Sequence, residues 1–180
     1  MSEWGAPAPG ATEHTQGVKK GKILIVEDNP DMQLLITSIL ADTYDCRMAN
    51  NGLEAWNLLE REDPSVAGIH LILSDVMMPE MDGYVLLERI KAHDRWRQVP
   101  AVILTARAAL EDKLQALRMG VDDFLTKPFA PEELLARADN LIANYQKRLV
   151  FIKSQPQVDD IKFEKTASAS QLWLKELEEA

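Results

Sequence analysis

Acidic, basic and hydroxyl side chains recur in this sequence at one kind of place, just past the end of a short apolar run. Glu27 and Asp28 follow Ile23 to Val26, Asp75 stands beyond Ile69 to Leu73, Thr105 beyond Ala101 to Leu104, and Lys127 beyond Val121 to Leu125. If the runs are parallel strands of one open sheet, these groups share its carboxyl edge, where such sheets bind ligands. Three carboxylates side by side repel and raise one another's pKa unless a cation intervenes. A hard divalent ion with oxygen ligands meets that need, and Mg²⁺ suits a site with few carboxylates and remaining waters. The carboxylates, a divalent ion and the Lys127 ammonium balance to zero net charge, which leaves a site able to receive a phosphoryl group.

The segments between the runs carry the helices that must position these groups. Met32, Leu35, Ile36, Ile39 and Leu40 have helical spacing, and Asn29 before Pro30 combines an N-cap with a proline at the first helical position. Tyr44 to Ala49 reads as a second strand, and Asn51-Gly52 opens a helix with Leu53, Trp56 and Leu59. Leu86, Leu87 and Ile90 mark the next helix, and Leu110, Leu114 and Leu117 the one after it. Gly120 suits the left-handed position that ends a helix. A last helix starts near Pro131 and carries Leu134, Leu135, Ala138, Leu141, Ile142 and Tyr145. Strand and helix alternating in this way predict an α/β fold, a parallel sheet with right-handed crossovers and helices on both faces.

Composition narrows the classes of function. The 180 residues carry a net charge of −9, unfavourable for binding nucleic acid through the bulk surface. The lone Cys46 excludes an intrachain disulfide and a cysteine zinc cluster. No apolar run reaches the ~18–20 residues of a membrane helix, and the N-terminus lacks the apolar stretch of a signal peptide, so a cytoplasmic protein without membrane contact is expected. Residues 1–21, rich in Gly, Pro, Ala and Thr, are expected to be a disordered leader or linker. Residues 22–148 form the expected domain, and 149–180 a linker with one short helix around Trp173, Leu174 and Leu177.

Four motifs lie along that domain in order: Ile-Leu-Ile-Val-Glu-Asp-Asn, Ser-Asp-Val-Met-Met-Pro-Glu-Met-Asp-Gly, Leu-Thr-Ala and Lys-Pro-Phe. With the strand–helix rhythm they resemble the response-regulator receiver domain of bacterial two-component signalling, over about residues 22–148. The resemblance implies a flavodoxin-like fold of five strands and five helices. It makes Asp75 the phosphoacceptor, taking a phosphoryl group from a phosphohistidine of a partner histidine kinase. Glu27, Asp28 and Asp75 would hold Mg²⁺ with the backbone carbonyl of Met77. Lys127 would pair with Asp75 or the phosphoryl oxygens, and the Thr105 hydroxyl would donate to one of those oxygens. Phe124 matches the family's switch aromatic, here without a hydroxyl, and Lys127-Pro128 matches its cis peptide. The class is a signalling module, not a turnover enzyme, and its output is expected to be transcription.

Plainer roles compete for each residue. Glu27 and Asp28 also suit the positive end of the first helix, Phe124 suits a core, and Lys127 alone would be a surface charge. An aspartyl phosphatase on a similar fold would place a second Asp two residues after the nucleophile, where this chain has Met77. An inactive receiver serving only as a binding platform would not need the whole motif set. His14, His70 and His93 show no metal spacing. The surface from Leu110 through Tyr145 is the candidate for homodimerisation on phosphorylation. The Leu-Trp-Leu-Lys-Glu-Leu-Glu stretch faintly resembles the lead-in to AraC-type DNA-binding domains of hybrid two-component sensors, so the tail is expected to open a truncated output domain. No direct DNA binding by this chain is expected.

Overall fold

The computed structural model describes residues 18–62, 68–106 and 117–154. The elements in chain order are β1 (Lys22–Val26), α1 (Pro30–Leu40), β2 (Asp45–Ala49), α2 (Gly52–Arg61), β3 (Leu71–Asp75), α3 (Gly83–Ala92), β4 (Ala101–Thr105), β5 (Asp123–Thr126) and α4 (Pro131–Ser154). The strands form one five-stranded parallel sheet in the order β2-β1-β3-β4-β5. The change of winding direction falls between β1 and β3, which puts a crevice at their carboxyl ends. Of the expected helix with Leu110, Leu114 and Leu117, only Leu117 lies within the described residues, at the close of a helical turn; Gly120 follows with φ 81°.

Local sequence accounts for the helix starts. The Asn29 side chain accepts hydrogen bonds from the Asp31 and Met32 amides, with Pro30 at the first helical position. Asn51 accepts from the Glu54 amide and Asp82 from the Val85 amide, so α2 and α3 are capped the same way. One face of the sheet packs Ile23, Ile25, Leu71, Leu73, Val102, Leu104 and Leu125 against Ile36, Leu40, Leu134, Ala138 and Ile142 of α1 and α4. The α2 and α3 helices bury Ala55, Leu59, Leu86, Leu87 and Ile90. Each fully buried Leu or Ile contributes about 1.5–3 kcal/mol, enough to hold a sheet that also buries Glu27, Ser74 and Thr105.

Three expectations need correction. β3 begins at Leu71 and runs on to Asp75, not Ile69 to Leu73. At the start the His70 amide still donates to the Lys22 carbonyl at 2.8 Å, but its ring Nδ1, at 3.1 Å, takes the Lys22 amide in place of a backbone carbonyl. At the other end Ser74 stays in the strand because its buried hydroxyl is satisfied, donating to the Asp75 carbonyl at 2.8 Å. β5 begins at Asp123, not Val121, because the Asp122 carboxylate takes the Ala101 amide and the Lys91 ammonium where the chain enters the sheet. Leu35, expected in the apolar stripe of α1, is 47% exposed.

The chain divides into compact units at Gln146, and the described part of the second, residues 147–154, is helical with Val150, Phe151 and Ile152 exposed. Within the first unit the fully buried Tyr44 donates its phenol to Asp139 of α4, which also meets Lys20 at 3.2 Å. The hydrogen bond from Tyr44 holds the Asp139 carboxyl below its ordinary value, with Lys20 adding to it. A depressed carboxyl stabilises the fold above its unfolded pKa and loses that contribution as pH falls through the folded value. Tyr44→Phe is therefore expected to cost about 1 kcal/mol at pH 7, with the gap closing in acid below the ordinary carboxylate range. Urea titrations of both proteins across pH check this; a gap independent of pH contradicts it.

Candidate phosphoacceptor and metal site

Because all strands run the same way, the ends of β1, β3, β4 and β5 deliver Glu27, Asp28, Asp75, Thr105 and Lys127 to one edge of the sheet. Asp75 and Thr105 are the last residues of β3 and β4, and Lys127 follows directly on β5. The Lys127 Nζ lies 2.7 Å from Glu27 Oε2 and 2.7 Å from Asp75 Oδ2. It thus joins the two strands on either side of the crevice. Lys127 reaches this position with its amide bonded to the Thr105 carbonyl at 2.8 Å, and the Lys127–Pro128 peptide is cis.

Each carboxylate has a distinct setting. Glu27 is 1% exposed, and its other oxygen accepts from the Asn29 amide at 3.3 Å. Burial pushes its carboxyl above the ordinary glutamate value, outweighing the hydrogen bond and charge of Lys127 that pull it down. For Lys127 burial is also the largest single influence and acts downward. The hydrogen bonds and charges of Asp75 and Glu27 together exceed it, so the ammonium is held above its ordinary value. Asp75 accepts its neighbour Val76's amide on Oδ1 at 2.6 Å, which fixes the carboxylate plane and leaves Oδ2 to Lys127. Asp28 is exposed. Glu27, Asp28 and Asp75 each bring one carboxylate oxygen within 4.8 Å of the others, an all-oxygen set that fits a hard divalent cation.

Three further expected residues occupy β4, β5 and the loop after β3. Thr105 is buried at the end of β4, and Phe124, opposite Ile103 in the ladder, is half-buried. Met77 stands in the loop after β3 with its side chain in solvent, 74% exposed. The capping alternative for Glu27 and Asp28 falls to Asn29, which caps α1 itself.

Some contributors left little trace in the sequence. Gln33 of α1 donates its amide to the carbonyls of Glu27 at 3.3 Å and Ala49 at 3.2 Å, tying the ends of β1 and β2 together. Gly83 lets α3 start against the end of β3, since a Cβ there would lie 2.1 Å from the Asp75 carbonyl oxygen. The Glu27–Lys127 pairing was not expected either; only a lysine next to strand-end carboxylates hinted at it.

Known proteins share this fold and sequence pattern. A family model for the response regulator receiver domain matches residues 23–139, and the chain belongs to that family. It is 38% identical over 126 residues to response regulator Rre1 of Synechocystis, an alignment covering 69% of this chain and 52% of the relative, so it spans about half of that protein's length. The solved receiver domain of a signal transduction histidine kinase from Syntrophus aciditrophicus is 34% identical, with a TM-score of 0.63 over 79% of this chain and 99% of that one. That of a Pseudomonas aeruginosa sensor histidine kinase, described with a magnesium ion coordinated in its active site cleft, is 34% identical, with a TM-score of 0.61 over 68% and 98%. The chain is thus a signalling domain, and among its described residues no helix is long and apolar enough to cross a membrane.

Lys127→Met removes the cation shared by the buried Glu27 and the partly buried Asp75 carboxylates. Without a metal, the expected loss is about 3 kcal/mol at pH 7. With Lys127 gone, the Glu27 carboxyl rises further, so its protonation on acidification relieves the repulsion and the loss shrinks toward pH 5. Denaturant melts at both pH values read this directly. Equal losses at the two contradict it.

Proposed function

We propose that Asp75 accepts a phosphoryl group from the phosphohistidine of a partner histidine kinase, and that the change this makes at the sheet edge controls an output, transcription in our reading. The observation that carries it is the Asp75 carboxylate held between the Lys127 ammonium and the acidic cluster of Glu27 and Asp28. In the transfer an Asp75 oxygen forms a bond to phosphorus as the phosphorus–nitrogen bond to the histidine breaks, and the imidazole leaves with the electron pair. Positioning and charge neutralisation supply the catalysis. Lys127 stays with the oxygens of the aspartyl phosphate, and the Thr105 hydroxyl donates to a phosphoryl oxygen. Phe124 turns inward as Thr105 moves. Glu27, Asp28 and Asp75, with the Met77 carbonyl, are the residues that hold Mg²⁺. When bound, the ion offsets negative charge on the phosphoryl oxygens. The chain promotes only its own phosphorylation and dephosphorylation.

The reading extends to the rest of the chain as proposals. Residues 22–148 are the receiver unit, 1–21 a leader or linker, and 149–180, whose first residues through Ser154 continue α4, a linker with a short helix that opens an output domain. The surface from Leu110 through Tyr145, part of it outside the described residues, serves homodimerisation on phosphorylation. The protein acts in the cytoplasm, and this chain does not itself bind DNA.

Incubation with a small-molecule phosphodonor and Mg²⁺, followed by intact mass, tests the transfer. The wild type is expected to gain one phosphoryl group per chain and Asp75→Asn none; an undiminished adduct on the variant overturns the assignment. Mg²⁺ alone is expected to raise the melting temperature, since a ligand selective for the folded state stabilises it. Asp28→Asn should remove most of that rise. An equal rise in both proteins excludes Asp28 as a ligand.

A further inference from the structure

Two loops that lie far apart in sequence meet at the carboxyl edge. The first, from β2 to α2, is a rigid platform. Glu54 accepts from both the amide and the side chain of Asn50 at 2.9 Å, and Asn51 caps the helix at 2.8 Å. From it the Gly52 amide donates to the Met81 carbonyl at 3.0 Å. The second loop, from β3 to α3, carries Met77. It is closed by the Gly83 amide on the Val76 carbonyl at 2.9 Å and by the Met81 amide on the Pro79 carbonyl at 2.7 Å. Glu80, inside that tight turn, sits in the left-handed region with φ 64°, which costs a residue with a Cβ and persists only where the surroundings enforce it.

We propose that Gly52 is a positioning residue for the metal site, gripping the Met77 loop through Met81 because it has no side chain. The proposal rests on the reading above that the Met77 carbonyl and the three carboxylates take up a divalent cation. A Cβ on Gly52 would lie 2.6 Å from the Met81 carbonyl oxygen, 2.8 Å from its Cγ and 3.1 Å from its Cβ. The first of these is backbone and Met81 is buried, so no flexible chain end can swing clear; the loop itself must shift. Met77 has no buried side chain to resist the shift. The place of its carbonyl is set by the frame of the loop, and Gly52 braces that frame from outside. Gly52 touches no metal and no phosphoryl group. Its effect passes through Met81, as outer groups orient the ligands of a metal.

Calorimetric titration with Mg²⁺ of the full chain and of Gly52→Ala, each verified folded by its melting curve, tests this. Affinity is expected to fall about tenfold in the variant, the low end for loss of an outer support. A purely structural glycine would lower the melting temperature and leave the affinity of the folded protein unchanged, and that result overturns the proposal. If the variant does not fold, amide hydrogen exchange of the wild type decides. Linkage requires Mg²⁺ to strengthen the contact that strengthens Mg²⁺ binding, so saturation should slow exchange at Gly52. Unchanged exchange there overturns it. A wild type that binds no Mg²⁺ overturns the reading of the site itself, an outcome separate from a variant that binds like the wild type.

Discussion

The Lys127 ammonium between Glu27 and Asp75 is the interaction on which the site depends. Two carboxylates at the ends of adjacent parallel strands, one of them almost wholly buried, would repel across the crevice without it. Burial of three charges costs several kcal/mol, and only close, hydrogen-bonded geometry offsets that cost. The geometry is met because Lys127 follows directly on β5 and reaches across the edge past β4, with its own amide anchored on Thr105. The Glu27 and Asp75 carboxylates, the Lys127 ammonium and the Thr105 backbone are therefore held by one hydrogen-bonded chain across the ends of four strands.

What the sheet does for the side chains, the loops do for the backbone. The carboxylates come from strand ends, which are stiff, but the Met77 carbonyl of the proposed metal site lies on a loop. The loop after Asp75 has its side chain at Met77 in solvent and a strained residue at Glu80. Its order comes from the start of α3, where Gly83 closes against Asp75, and from the neighbouring loop at Gly52. Both glycines matter for the space they leave, in contrast to Gly120, whose positive φ is the reason for its type.

Much of this was legible in the sequence because the signals are local. Asn29-Pro30, Asn51-Gly52 and the apolar runs each encode an element with no help from distant residues, and the strand-end positions of Asp75, Thr105 and Lys127 follow from the parallel sheet. The errors came where tertiary bonds override local pattern. Ile69 looks like strand, but the ring of His70 takes the place of a ladder partner; Val121 looks like strand, but Asp122 governs the entry to β5. Leu35 keeps the helical period yet faces solvent, since periodicity marks a stripe and not its width. The Gly52–Met81 and Gln33 contacts join segments that only the fold brings together, and no spacing rule reaches them.

Whether this sheet edge makes Asp75 the acceptor is most directly read by trapping the product. Borohydride reduces an acyl phosphate to the alcohol, so a phosphorylated aspartate is left as homoserine. After treatment of the wild-type chain with a phosphodonor and Mg²⁺, peptide mapping is expected to find that conversion at Asp75 alone. Conversion at Asp28, at Glu27 or at any other carboxylate with Asp75 intact, or no conversion at all, would contradict it.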